Sequence, residues 1–270
     1  MEQGKITKGI GGFYYVDTGA EVVETRARGK FRNMGIKPMV GDLVEIENNY
    51  VYEILPRANE LVRPPVANVD QIAVVVAARE PEADLFLVDK LTVQAVHQGI
   101  GVLVVVNKAD LDGKRAREIA GIYDVAGFAS VVVSVHDRGS IDGLMGQLAG
   151  KTTAFAGNSG VGKSSILKIF GIDAPTGELS KINRGKHTTR HVELFKLGAD
   201  AYVLDTPGFS MLELAGLEKG QIAGCFPEFA DVECEFADCT HMPKEQGCGA
   251  AAGLSAGRLA SYRKLYEMMD

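Results

Sequence analysis

"GNSGVGKS", residues 157–164, fits the pattern Gly-x-x-x-x-Gly-Lys-Ser. It follows "TAFAG" (153–157), which reads as a buried strand, and opens the helical stretch "KSSILKIFG" (163–171). Strand, glycine-rich turn and helix in that order make a phosphate-binding loop, whose backbone N–H groups and helix N-terminus cradle anionic oxygens. Gly157, Asn158, Ser159, Gly160, Val161, Gly162, Lys163, Ser164 and Ser165 are therefore nucleotide-contact candidates. Lys163 would reach the β- and γ-phosphates, and Ser164 would bind Mg²⁺.

About 50 residues upstream, "VLVVVNKAD" (102–110) is an apolar strand running into Asn-Lys-x-Asp, the signature by which GTPases read guanine. Asp110 can accept both N–H bonds of guanine's N1 and N2 edge. Adenine lacks that donor pair and would leave a buried carboxylate unpaired. Asn107 would hold the loops together, and the Lys108 stem would lie over the base. After the next strand, "VVVSVHDRG" (131–139) puts Ser134 and Val135 where GTPases place a short loop against the guanine carbonyl, although an ordinary strand end reads the same way.

Downstream of the phosphate loop come "HTT" (187–189) and "DTPG" (205–208). Asp205 would hold Mg²⁺ through water, and the Gly208 N–H would meet the γ-phosphate. A switch segment should also give Mg²⁺ a threonine, Thr189 first and Thr188 second. The order is thus base, base, phosphate, switch, switch, whereas ordinary GTPases place the phosphate loop first. A circular permutation gives this order, with the original ends joined near 140–152 and new ends opened after "DTPG". Chain ends in compact domains often lie close together, so the strand inventory and the sheet survive the change.

Around this core the chain divides in three. Residues 1–63 hold short β-like runs, "GGFYYVDTG", "EVVETRARGKFR" and "GDLVEIENNYVYEIL", closely punctuated as in a small barrel. "RPP" at 63–65 should end any strand ladder. From 66 to 217, continuous apolar runs such as "QIAVVVAA" (71–78) alternate with amphipathic stretches, which indicates an α/β, mostly parallel sheet. Of these stretches, "DLFLVDKLTVQAVHQG" (84–99) should be a helix capped by Asp84 and ended by Gly99, and "GKRAREIAGIYDVAG" (113–127) another. Residues 218–270 contain all four cysteines and close on a helical pattern.

The permuted order, the "HTT" switch and the flanking regions are similar over essentially the whole chain to the ribosome small-subunit-dependent GTPase A family, also called RsgA or YjeQ. The resemblance implies an N-terminal OB-fold RNA-binding domain (1–65), a circularly permuted P-loop GTPase domain (66–217) and a small, mainly helical zinc-binding domain (218–270). It also implies binding to the small ribosomal subunit and its rRNA late in maturation, with GTP hydrolysis to GDP stimulated by the subunit. His187 matches the family's switch histidine. Phe209 stands where Ras-type enzymes have a water-orienting glutamine, so His187 is the candidate for that task, acting with Lys163 and Thr189.

"CEFADCTHMPKEQGC" spaces Cys234, Cys239, His241 and Cys248 as Cys-x4-Cys-x-His-x6-Cys. Three thiolates and one imidazole close a tetrahedral shell with no open position, so one structural Zn²⁺ per chain is expected. The last spacing is one residue longer than is usual in the family. Cys225 lies outside the pattern and reads as a small core residue. In "RARGKFR" the basic residues Arg26, Arg28, Lys30 and Arg32 alternate. If extended, they project from one face and suit an RNA backbone, or equally a solvated strand face.

A net charge of −6 confines any nucleic-acid contact to such a local patch. No apolar run reaches about 18 residues, and the N-terminus lacks a signal-peptide pattern. The expectation is a cytoplasmic monomer that does not engage a membrane. Two other readings compete with the GTPase. One is an ATPase or kinase on the same loop, which the Asn-Lys-x-Asp stretch opposes. The other is a nucleotide-dependent RNA-binding module without significant turnover, which intact Lys163, Ser164 and Asp205 oppose.

Overall fold

The structure, a computed structural model, describes residues 1–62, 64–172, 192–205 and 216–269, excepting the side chains of Arg32, Val62 and Asp205. His187, Thr188, Thr189, Gly208 and Phe209 lie outside the described residues. Two compact units make up the chain: residues 1–72, 145–155 and 164–209, and residues 73–144, 156–163 and 210–270.

In the first unit, β1 (Glu2–Ile10), β2 (Phe13–Asp17), β3 (Val22–Ala27), β4 (Leu43–Glu47) and β5 (Tyr50–Ile54) close into a barrel of order β1-β2-β3-β5-β4. β1 pairs with both β2 and β4, which leaves the barrel no open edge. This is the five-stranded OB arrangement. Ile6, Val16, Val44, Ile46 and Val51 fill the interior. The short helix α1 (Gly29–Asn33) buries Phe31. Its presence corrects the expected extended basic stripe: Arg26 is on β3, Arg28 follows it, and Lys30 and Arg32 are helical. Burial of Phe31 decides this against the alternation.

The turn after Val62 is a second correction. β6 (Glu60–Val62) and β7 (Pro65–Ala67) form an antiparallel hairpin with Val62 opposite Pro65. A strand does begin at Pro65, because a strand's first residue tolerates proline.

The larger sheet runs β10-β9-β8-β11-β13-β12, with β8 at Gln71–Ala77, β9 at Gly101–Asn107, β10 at Ala129–Val132, β11 at Thr152–Ala156, β12 at Phe195–Gly198 and β13 at Ala201–Asp205. β8 and β11 are buried at every position, as strands covered on both faces must be. β9 and β10 pair in parallel, as do β11 and β13. β12 is an antiparallel edge. Within the first unit the barrel is fastened to these strands. Lys5 Nζ donates to Thr152 Oγ1 (2.7 Å), Leu194 N to Thr7 O (2.8 Å) and Tyr202 OH to buried Asp17 (2.9 Å).

In the second unit, α2 (Leu85–His97) starts where Asp84 accepts the Leu87 N–H (3.0 Å) and ends at Gly99, whose φ of +66° continues no helix. α3 (Gly113–Val125) is capped likewise by Asp112. α4 (Arg138–Leu148) begins in this unit and ends in the first, and α5 (Lys163–Ile169), which follows the phosphate loop, belongs to the first beyond Lys163. Beyond residue 216, short 3-10 turns (Lys219–Gln221, Ala223–Cys225, Pro227–Asp231) precede α6 (Ala250–Gly253) and α7 (Ala256–Glu267). Leu217, Ile222, Cys225, Phe226, Leu254, Leu259, Tyr262 and Leu265 pack into one core with Val93 of α2, so Cys225 is a core residue as expected.

Arg258 of α7 is fully buried, and its fork is bidentate to Glu228 (2.7 and 2.8 Å), with a third bond to Asp89 of α2 (2.7 Å). Tyr123 of α3 donates to the same Asp89 oxygen (3.0 Å). Burial pushes the Asp89 carboxyl above its ordinary value in spite of Arg258. Truncating one partner of a buried ion pair strands the other charge. Arg258→Ala is therefore expected to lose about 3–5 kcal/mol of unfolding free energy in urea titration. A loss below about 1 kcal/mol would mean the network contributes little more than a surface pair.

Candidate nucleotide and metal sites

β9 delivers Asn107 to the bottom of the base loop. Its backbone carbonyl accepts from Ala78 N (2.9 Å), and its buried amide donates from Nδ2 to Val161 O of the phosphate loop (2.9 Å). The two loops expected to hold opposite ends of one nucleotide are thus hydrogen-bonded across 54 residues of sequence. Two glycines make this approach possible. A Cβ on Gly162, where φ is +97°, would lie 2.2 Å from Asn107 Nδ2. A Cβ on Gly157, where φ is +136°, would lie 2.2 Å from Val75 O. Neither backbone conformation suits a side chain.

Lys163 opens α5, with Ser164 and Ser165 behind it in the first turn. Its Nζ lies 2.7 Å from both Gly157 O and Asn158 O, over the loop it is expected to serve. Ser159 and Gly160 are exposed at the loop tip, and Val161 is buried beneath it.

On the base side, Lys108 adopts φ +61° and its ammonium contacts the Glu80 carbonyl. Asp110 accepts from Ser134 Oγ at 2.6 Å. That hydroxyl holds the Asp110 carboxyl below the usual carboxylate range, aided by the charges of His136 and Lys108. Asp110 is therefore ionised and purely an acceptor. It is also exposed, which corrects the buried carboxylate expected from the sequence. A base seated on it would have to supply the desolvation. Ser134 is buried, and Val135 follows it half-buried.

Asp205 ends β13 and only its backbone is described. Arg26 lies over the Phe13 ring (4.5 Å), and Arg28 and Lys30 both lie over Tyr52 (4.4 and 4.6 Å). These cations are stacked on aromatic faces and do not form a plain charged strand face.

Two residues near the loops escaped the motif reading. Asp84 caps α2 with one carboxylate oxygen and meets Asn158 Nδ2 with the other (3.4 Å). As a cap it was legible; as a phosphate-loop partner it was not. Ser140 of α4 hydrogen-bonds the Ser134 backbone (3.1 Å) and belongs to no motif.

The four expected metal ligands converge. One donor atom each from Cys234, Cys239, His241 and Cys248 lies within 4.8 Å of all the others. His241 Nδ1 is 3.5 Å from Cys234 Sγ and 3.7 Å from Cys248 Sγ. A tetrahedral Zn²⁺ with ordinary bond lengths separates sulfur and nitrogen ligands by roughly 3.6 Å, so the donor set fits a metal ion of that kind. Burial keeps the His241 imidazole below its ordinary pKa, hence neutral, as a ligand must be. The extra residue before Cys248 does not remove it from the cluster.

Comparison with known proteins decides the family. The RsgA GTPase model matches residues 54–215, and the RsgA N-terminal domain model matches residues 3–51. The chain belongs to the RsgA GTPase family. A curated relative, the small ribosomal subunit biogenesis GTPase RsgA of Alkaliphilus metalliredigens, is 43% identical over 276 residues, covering 97% of this chain and 94% of the relative. The crystal structure of YjeQ from Thermotoga maritima is 33% identical with a TM-score of 0.83, covering 99% of this chain and 98% of that one. YloQ, described as a circularly permuted GTPase, is 34% identical with a TM-score of 0.81, covering 100% and 95%.

The chain is accordingly a circularly permuted GTPase with an N-terminal OB barrel. Among its described residues no helix is long and apolar enough to cross a membrane. Because Gly162 leaves no room beside the Asn107 amide, Gly162→Ala is expected to weaken GDP binding at least about tenfold, a loss of roughly 1.4 kcal/mol. Fluorescent-GDP titration measures this, and wild-type affinity would show that the two loops need not touch.

Proposed function

We propose that this GTPase binds the small ribosomal subunit late in its maturation and hydrolyses GTP to GDP and phosphate, stimulated by the subunit. The Asn107–Val161 hydrogen bond carries the reading, because it sets a guanine-reading loop beside a phosphate loop. Asn107, Lys108, Asp110, Ser134 and Val135 take the base, and residues 157–165 take the phosphates. Ser164 and Thr189 would hold Mg²⁺, with Asp205 behind a water; the ion supplies positive charge to the phosphate oxygens. Lys163 adds charge to the same oxygens, and the Gly208 N–H meets the γ-phosphate.

Phe209 can neither donate nor accept a hydrogen bond, so His187 orients the attacking water. The barrel (1–65), with Arg26, Arg28, Lys30 and Arg32, is the rRNA-contacting domain. The region 218–270 is a zinc domain, and 66–217 is the GTPase domain between them. The protein acts as a cytoplasmic monomer. A nucleotide-dependent RNA-binding module without turnover is the second reading. Lys163 in its expected place over the loop favours the enzyme.

Hydrolysis by the purified protein, with and without small subunits, tests the reading. Turnover should be slow alone and rise by orders of magnitude with subunits. Lys163→Ala should lose both activities, and His187→Ala should lose chiefly the stimulated one. GTP should bind far better than ATP, and Asp110→Asn should erode that preference. Full stimulated hydrolysis in His187→Ala would remove the histidine from the mechanism.

For the cysteine cluster, metal analysis should find one zinc per chain. Cys239→Ser should lower zinc content and thermal stability, leaving GDP affinity close to wild type. Zinc-free protein of unchanged stability would reject the structural role.

A further inference from the structure

Ser140 lies in the first turn of α4, outside the residues assigned to the nucleotide, yet its hydroxyl organises the turn that holds Asp110. Its Oγ accepts the Ser134 N–H at 3.1 Å. It also lies 2.8 Å from Asp137 O and 3.2 Å from Ser134 O. A hydroxyl has one hydrogen to give, and the shorter contact takes it. Ser140 thus stitches residue 134 to residue 137 and leaves no orphan N–H on buried Ser134.

The Ser134 hydroxyl is held from two sides as well. Its Oγ accepts from His136 N (3.1 Å) and gives its hydrogen to Asp110 Oδ1 (2.6 Å). The sheet itself fixes this chain only as far as Val133. Val133 N donates to Val106 O (2.8 Å), and Val133 O accepts from Ala109 N (3.1 Å). Beyond that point, the backbone of Ser134 is held by Asp137 N on its carbonyl (3.0 Å) and by Ser140 on its N–H.

We propose that Ser140 is a positioning residue for guanine selectivity: it fixes the Ser134 backbone so that the Ser134 hydroxyl orients the Asp110 carboxylate toward the base edge. The proposal rests on the reading of residues 107–110 as the guanine-reading loop. Ser140 touches no substrate; it acts through Ser134. Its effect should fall on the part of recognition that needs both carboxylate oxygens aligned. Guanine presents N1–H and the exocyclic N2–H to Asp110, whereas hypoxanthine keeps N1–H and lacks the amino group. A carboxylate free to rotate therefore loses more with GDP than with inosine diphosphate.

The experiment is titration of the full chain, with Mg²⁺, against GDP, inosine diphosphate and ADP, for wild type, Ser140→Ala, Ser140→Thr, Ser134→Ala and the double alanine variant. Ser140→Ala should bind GDP about fivefold to tenfold more weakly, the scale of one hydrogen bond. It should bind inosine diphosphate within about twofold of wild type. Ser140→Thr keeps the hydroxyl and should restore the GDP-to-inosine-diphosphate ratio. The double variant should be no worse than Ser134→Ala alone, because both act on one element. An unchanged ratio in Ser140→Ala, equal behaviour of the Ala and Thr variants, or additive losses in the double variant would each overturn the proposal. A wild type that binds GDP no better than ADP would overturn the guanine reading itself, and that failure shows without any variant.

Discussion

The hydrogen bond from the Asn107 amide to the Val161 carbonyl is the constraint around which the nucleotide site is built. It lies in the interior, with Asn107 and Val161 both nearly inaccessible to solvent. An unpaired carbonyl or amide there would cost roughly 1–3 kcal/mol, so base loop and phosphate loop hold one another in register. The bond also explains why a backbone rule stands in the phosphate loop. Position 162 must lack a Cβ because the amide occupies that space. A bond between two loops is indifferent to which loop the ribosome made first. Once the carboxyl ends of the strands are neighbours, the order of the motifs along the chain changes the connections and their closure entropy, not the contacts within the site.

A second constraint works on the other side of the phosphate loop. Asp84 uses one oxygen to start α2 and the other to meet Asn158. Five residues later, Asp89 on the same helix receives Arg258 of α7 and the Tyr123 hydroxyl. The guanidinium is also surrounded by the rings of Tyr123, Phe128 and Phe226, at 5.6, 5.5 and 4.6 Å. Two buried carboxylates face one buried guanidinium in a low-dielectric setting, and the neutral Tyr123 hydroxyl hydrogen-bonds Asp89 without cancelling the excess charge. α2 is thereby clamped at its start by the phosphate loop and at its middle by the C-terminal helix.

What the sequence disclosed and what it withheld differ by physical type. Motifs whose chemistry needs fixed spacing were legible: the phosphate loop, Asn-Lys-x-Asp, and the cysteines and histidine. Local caps were legible too, because Asp84 and Gly99 act within one helical turn. β1 was not. "EQGKITKGI" has two glycines and two lysines among few apolar residues, and it is a strand because β2 and β4 both pair with it. Tertiary pairing overrode a weak local signal. The basic stripe failed for the opposite reason: its alternation was clear, but Phe31 had to be buried and the chain turned helical to bury it. Ser140 left no trace, since it belongs to no motif and its hydroxyl bridges Ser134 N and Asp137 O, six and three residues upstream.

The loop carrying Cys234, Cys239, His241 and Cys248, a donor set that could hold a metal ion, is fixed from outside that set. The His241 ring stacks on Phe229 at 4.3 Å with the planes 11° apart. The His241 carbonyl accepts from Arg263 Nε (3.0 Å), and the neighbouring Thr240 carbonyl accepts from Tyr262 OH (2.9 Å). Both donors belong to α7, and Tyr262 is itself part of the apolar core around Phe226, its ring 5.5 Å from that of Phe226. The ligand-bearing loop therefore rests on a helix that is anchored independently of any ion. An ion would add its own free energy to a region already tied to α2. Losing a ligand should first free the stretch from Cys234 to Cys248, while the core of Phe226, Leu259 and Leu265 stays packed against Val93. This differs from small zinc modules with no core of their own, which unfold outright without metal.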